Sequence, residues 1–238
     1  EFRRVLFRSR GSVKTDTLVL RSNAIAFELR VTISGESLPT TLADAVSFLG
    51  AATIDSRHLA AERPSTREAW GKALNVPELS QLSDSRGVHW CSPTCLTMSL
   101  RFWSRQLHRR DLWVKLPDVA NAVNDPNWPG TGNWPFNTAF AGSFTGLRAW
   151  VDRFDSLADL ENSILRGIPI ITSVSYKQLY NLPNSLSNGH LVVCIGFTPE
   201  GDVIINDPWA DPKKRDPVRN TIPRERFRAA WRASNGTV

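Results

Sequence analysis

The spacing of apolar and polar positions changes character along the chain. TDTLVLRS (15–22), AIAFELRVTI (24–33) and DAVSFLGAA (44–52) are short apolar runs. Within the second, FELRV alternates apolar with polar residues, the period of a half-buried strand. These runs predict an antiparallel sheet domain over 13–60. AERPSTREAWGKALN (61–75) is polar and carries Pro64, which predicts a linker. From residue 76 onward helical patterns enter. Ser92-Pro93 opens a helix through TCLTMSLRFWSRQL to about Leu107, and Pro93 suits a first turn, where its missing N–H costs nothing. LPDVANAVND (116–125) predicts a second helix, stopped before Pro126. PNWPGTGNWPFNTAFAG (126–142) begins as a loop. LRAWVDRF (147–154) predicts a strand. SLADLENSILRG (156–167) predicts a helix with Ser156 as N-cap and Gly167 past its end. IPIITSVSY (168–176) is an apolar strand. GHLVVCIGF (189–197) and DVIINDP (202–208) predict a hairpin across Thr198–Gly201. PRERFRAAWRA (223–233) is a last helix. A helix carrying cysteines, followed by a late antiparallel sheet, is an α+β order.

Composition narrows the class. The chain has 238 residues, 41% apolar and 22% charged, as in ordinary globular proteins of one to two domains. It contains no apolar run of about 18 residues, so no membrane span is expected, and no secretory signal pattern is visible. The net charge is +6, but residues 1–10, EFRRVLFRSR, hold four arginines and one glutamate, which is half of it. Residues 1–12 read as a non-native or disordered leader. DPKKRDPVR is flanked by Asp211 and Asp216 and reads as a solvated loop, so no nucleic-acid partner is expected. Met98 is the only methionine and the chain stops at SNGTV; it reads as a C-terminally truncated piece of a longer protein.

Three cysteines, Cys91, Cys95 and Cys194, form no even disulfide framework. Cys-x3-Cys is not a zinc spacing, so neither metal nor cofactor is expected. A thiol becomes nucleophilic where its thiolate is stabilised, at a helix N-terminus or beside a histidinium. Cys91 stands where the chain turns into the helix, so it is the candidate nucleophile. Cys95, one turn deeper beside Leu96 and Leu100, reads as packing. Both as core residues is the competing reading of the pair alone. A cysteine nucleophile needs a base. His58 lies in the sheet segment, His108 follows a helix among arginines, and His89 is too close along the chain to serve. His190 opens the apolar strand HLVVCIGF and can face a cleft. Its imidazole needs an acceptor. Asp207 ends the neighbouring strand in IINDP, where Pro208 stops the ladder, and a hairpin sets it beside His190.

HWCSPTCLTM, GTGNWPFNTAFAG and SNGHLVV with INDP, in that order over residues 76–238, resemble the papain-like peptidases of cysteine peptidase family 39-like. That group includes bacteriocin-processing domains that cut after double-glycine leaders. The resemblance implies a papain-like peptidase domain over 76–238, with Cys91 as nucleophile, His190 as general base and acid, and Asp207 as its orienting group. It also implies that Gln81, in VPELSQ, donates to an oxyanion together with the Cys91 backbone N–H. SDSRGVH between them looks like an inserted loop. The segment 13–60 looks like the end of a β-sandwich module found ahead of such domains in exported bacterial proteins, which implies a secreted or extracytoplasmic setting.

Trp90, Asn133, Trp134 and Asn137 are candidates for lining a substrate groove, since an indole face and amides suit an extended peptide. Burial of Trp134 and Phe136 in a core-capping loop is the other reading of that stretch. The expected function is a thiol hydrolase acting on a peptide or protein through a thioester. The alternative is a catalytically silent papain-like module that binds peptide or cell-wall glycan.

Overall fold

The computed structural model describes residues 11–14, 17–20, 63–126, 131, 133–184 and 189–238. The chain divides into two units, Glu1–Leu49 and Gly50–Val238. In the first unit the described residues are two antiparallel strands, β1 (Gly11–Lys14) and β2 (Thr17–Leu20), paired from Gly11 with Leu20 to Lys14 with Thr17. The first strand therefore starts within the stretch expected as a leader. The expected strands over 24–33 and 44–52, and the β-sandwich they would belong to, lie outside the described residues.

In the second unit the described helices are α1 (Cys91–Gln106), α2 (Leu116–Ala122), α3 (Trp134–Gly142), α4 (Leu157–Leu165), α5 (Tyr176–Leu179) and α6 (Arg224–Arg232). The strands are β3 (Ile170–Ser175), β4 (Gly189–Phe197), β5 (Val203–Asn206) and β6 (Arg219–Ile222), an antiparallel sheet in the order β3-β4-β5-β6.

The unbroken apolar run of β4 follows from its central place: it is covered on both faces. Successive side chains of a strand point to opposite faces. Val192 and Cys194 join Leu157, Leu160 and Ile164 of α4 and Phe227, Ala230 and Trp231 of α6 in one buried cluster. Val193 and Ile195 face the other way, onto Cys95, Met98 and Phe102 of α1. The register slips between Cys194 and Gly196, and this bulge returns Phe197 to the face of Cys194. Gly196 is needed there, because a Cβ would lie 2.2 Å from the carbonyl oxygen of Lys72.

That contact shows what residues 63–75 do. They were expected as linker, and they lie against the sheet. Phe197 N donates to Lys72 O at 2.9 Å and Leu74 N to Ile195 O at 2.8 Å. Glu161, fully buried, accepts from Thr66 N at 2.6 Å and from Trp70 Nε1 at 2.8 Å, and pairs with Arg224 at 2.8 Å. The buried carboxylate thus ties this strap to α4 and α6.

The helix signals read as expected in α4. Ser156 Oγ accepts from Ala158 N at 3.1 Å, and Asp159 reaches back to Ser156 N at 3.2 Å, a capping box. Gly167 follows with φ +75°. Two expectations are corrected. Residues 147–154 form no strand: they pair with the end of the chain instead of the sheet, through Arg153 with Thr237 and through Asp152 and Val238, whose N–H and C=O groups bond each other at 3.0 Å both ways. Cys95 packs with Met98 and Phe102 against β4, whereas Leu96 and Leu100 turn toward Leu112, Val119 and Ala141. Positions one apart on a helix diverge by about 100°, which separates the two faces of α1.

Candidate active site

Cys91 is the first residue of α1, after Trp90 at the N-cap. Its sulfur therefore sits at the positive end of the helix dipole. α1 is held against β4 by Cys95, Met98 and Phe102, and the same packing sets Cys91 opposite the start of β4, where His190 lies. His190 pairs with Val174 of β3 across the ladder, so its backbone is fixed from one side. On the other side Val193 pairs with Asn206, the last residue of β5, and Asp207 follows it. The hairpin thus delivers a carboxylate beside the imidazole.

His190 Nε2 lies 2.7 Å from Asp207 Oδ1. The ring also shares a hydrogen bond with the Cys91 thiol, which leaves Nδ1 as the nitrogen facing sulfur. Imidazole and carboxylate are 5% and 3% exposed, so the pair is shielded from water. Asp207 Oδ1 also accepts from Trp209 N at 2.8 Å, and Oδ2 accepts from the Tyr180 hydroxyl. The Tyr176 ring stands edge-on to the imidazole, 5.4 Å between centroids at 89°.

Burial opposes charge on all three groups, and their mutual contacts outweigh it. Burial pushes the Cys91 thiol up, but the hydrogen bond and charge of His190, with the backbone N–H groups of Leu191 and Ser92, bring it below its ordinary value. Burial would lower His190, yet the hydrogen bonds to Asp207 and Cys91 raise it to about 10. Burial would raise Asp207, and the bond to His190 holds it below the usual carboxylate range. All three shifts run toward the charged forms, thiolate, imidazolium and carboxylate. Cys95 contrasts: burial, then the charges of Cys91 and Asp207, hold it well above the ordinary thiol value, and its thiol donates to Leu191 O at 3.3 Å.

Gln81 is buried on a short 3-10 turn whose backbone N–H donates to Pro208 O at 2.8 Å, next to Asp207. Its Nε2 donates to the carbonyls of Gly87 and Val88 at 2.8 and 2.9 Å, and Oε1 has no partner among the described residues. The segment that looked like an inserted loop therefore holds the Gln81 amide. A Cβ at Gly87 would lie 1.7 Å from Gln81 O, so only glycine lets the loop close on the turn.

The four candidate lining residues are placed as follows. Trp90 is buried against Leu116 and Ala120, with the Arg86 guanidinium 5.0 Å over its ring. Asn133 is the N-cap residue of α3 and donates to Asp125 Oδ2 at 3.3 Å. Trp134 begins α3 and is half-buried. Asn137 is buried and donates through Nδ2 to Ser92 Oγ, which moors α3 to the first turn of α1. Sequence reasoning missed Tyr176, Tyr180 and Trp209 around His190 and Asp207. A signal was present: the chain has only two tyrosines, four residues apart, directly after an apolar strand. Among the described residues no group of three or more His, Cys, Asp or Glu could hold a metal ion, and no helix is long and apolar enough to cross a membrane.

Comparison with known proteins points the same way as the fold. The crystal structure of a candidate C39-like peptidase from Bacillus anthracis is similar, with a TM-score of 0.51 and 21% identity, over 70% of this chain and 94% of that one. At that identity the likeness is one of fold. No curated protein matches the chain. The model of the Peptidase_C39 like family matches residues 73–238, which begin at the end of the strap and span the cysteine helix and the whole four-stranded sheet, and the chain belongs to that family.

Proposed function

We propose that this chain is a cysteine peptidase, a thiol hydrolase that cleaves a peptide or related amide bond. One observation carries the reading: a buried imidazole that shares one hydrogen bond with a helix-N-terminal thiol and another, of 2.7 Å, with a buried carboxylate. Membership of a peptidase family supports it. The Cys91 thiolate adds to the scissile carbonyl carbon, and the carbonyl electron pair moves to oxygen. The C–N bond then breaks, the leaving amine takes the Nδ1 proton of His190, and a thioester remains on Cys91. His190 removes a proton from water, the hydroxide attacks the thioester, and a carboxylic acid leaves as the thiolate is restored. The Cys91 backbone N–H, at the helix start, is a donor for the oxyanion. Gln81 joins it if one amide N–H leaves its loop carbonyl.

That last condition favours a second reading, a silent module that binds peptide or cell-wall glycan, because both Gln81 amide protons face carbonyls of residues 87 and 88. A mixture of synthetic peptides followed by mass spectrometry separates the two. Peptidase action yields new termini that vanish in Cys91→Ala. Retention of peptide without new termini, in wild type and Cys91→Ala alike, supports the silent module.

A further inference from the structure

We propose that Tyr180 is a positioning residue for this site: its hydroxyl clamps Asp207 Oδ2 and keeps the carboxylate ionised and turned toward His190. The inference rests on the peptidase reading and adds a residue to it. Asp207 is almost wholly buried, so each of its oxygens depends on protein donors. Oδ1 is served by His190 Nε2 and Trp209 N. Among the described residues the Tyr180 hydroxyl is the donor to Oδ2. Without it the carboxylate is free to turn about its own bond, and a buried charged oxygen is left bare. The clamp is rigid for a local reason. β3 ends at Ser175, α5 begins at Tyr176, and Tyr180 follows α5 directly. The strand that carries the clamp is the one that pairs with His190, through Val174. Both tyrosines of the chain meet here, with ring centroids 5.1 Å apart.

The groups that face this carboxylate are known element by element. His190 comes from β4, Cys95 from α1, and Tyr176 and Tyr180 from α5 and its end, while Cys91 of α1 acts on His190. Arg226 of α6 acts on Tyr180 in turn. Burial and the Asp207 charge hold the Tyr180 hydroxyl far above its ordinary value, so it keeps its proton and remains a donor across the acid range. Removing it takes a stabilising donor from the carboxylate, and Asp207 then gains its proton at a higher pH. Protonated Asp207 no longer supports the imidazolium, and the thiolate is lost with it.

The test is the rate of Cys91 alkylation by iodoacetamide, read by mass spectrometry across the acid range, in wild type, Tyr180→Phe, Asp207→Asn and the double variant. Tyr180→Phe is expected to move the acid limb upward by about half to one pH unit, a rate about three- to tenfold lower on that limb. In the Asp207→Asn background the same change is expected to move nothing, because no carboxylate remains for the hydroxyl to hold. Incorporation of fluorotyrosine, whose hydroxyl is the stronger donor, reaches only positions 176 and 180 and is expected to move the limb downward without disturbing ring packing. Equal shifts in both backgrounds, or no shift in wild type with either change, overturn the role of Tyr180 while the peptidase reading stands. Wild-type Cys91 that reacts no faster than free cysteine overturns both.

Discussion

Replacing Asp207 by asparagine tests the electrostatics of the site more sharply than any truncation. Asparagine keeps the shape and a hydrogen-bond acceptor for Nε2–H, and removes the charge. The carboxylate and imidazolium charges, with N and O 2.7 Å apart, have centres about 4 Å apart, and at an effective dielectric of about 20 this is worth about 4 kcal/mol, or about three pKa units. His190, raised to about 10 in the intact site, then falls toward its ordinary range, because burial is opposed only by the contacts with Cys91. Cys91 loses its charged partner, and burial, the largest influence on it, pushes the thiol upward. An ordinary thiol is about 0.3% ionised at pH 6. The iodoacetamide rate at about pH 6 is therefore expected to fall about 30- to 100-fold, less than the loss of thiolate, because a less acidic thiol is the better nucleophile once ionised. Near pH 9 the two proteins are expected to differ by only a few-fold. The assay is alkylation of Cys91 followed by intact mass, with Cys91→Ala as the blank. An unchanged profile would refute the claim that Asp207 holds the imidazolium in place.

Three further outcomes are expected. Cys91→Ala abolishes hydrolysis with an unchanged circular dichroism spectrum, whereas Cys95→Ser, which exchanges a buried thiol for a hydroxyl, retains hydrolysis and costs about 1–2 kcal/mol in urea unfolding; the reverse pattern would move the nucleophile to Cys95. Hydrolysis is expected to follow a bell against pH. It fails below the lowered thiol value, where the thiolate is protonated, and above about 10, where His190 no longer has a proton for the leaving amine. Arg224→Met leaves the fully buried Glu161 without its cation and is expected to destabilise the chain by about 3–5 kcal/mol in the same unfolding assay, with the alkylation rate of the folded protein unchanged.

Much of this unit was legible because its signals are local. The run Gly189–Phe197 reads as a buried strand from composition alone, and Ser156 and Gly167 mark the ends of α4 through their cap chemistry. The helix that carries Cys91, the strand that carries His190 and the strand end at Asp207 were each recognisable, and the meeting of His190 with Asp207 followed from hairpin logic. What was illegible depends on distant partners. Residues 63–75 look like a polar linker until Glu161, almost a hundred positions later, is seen to take their N–H groups. Residues 147–154 carry a strand pattern, yet their partners are the last residues of the chain. Tyr180 has no motif of its own; its chemistry comes from a carboxylate in another strand. The two faces of α1 were blurred because cysteine, leucine and methionine are all apolar, and only β4 on one side and α2 with α3 on the other tell them apart.

The most direct test is the wild-type thiol itself. Iodoacetamide should modify Cys91 at pH 6 at least about tenfold faster than it modifies free cysteine, because the neighbouring imidazolium and the helix start hold the sulfur as thiolate. A rate no greater than that of free cysteine would mean that the sulfur is an ordinary protonated thiol, and the proposed chemistry would have no nucleophile.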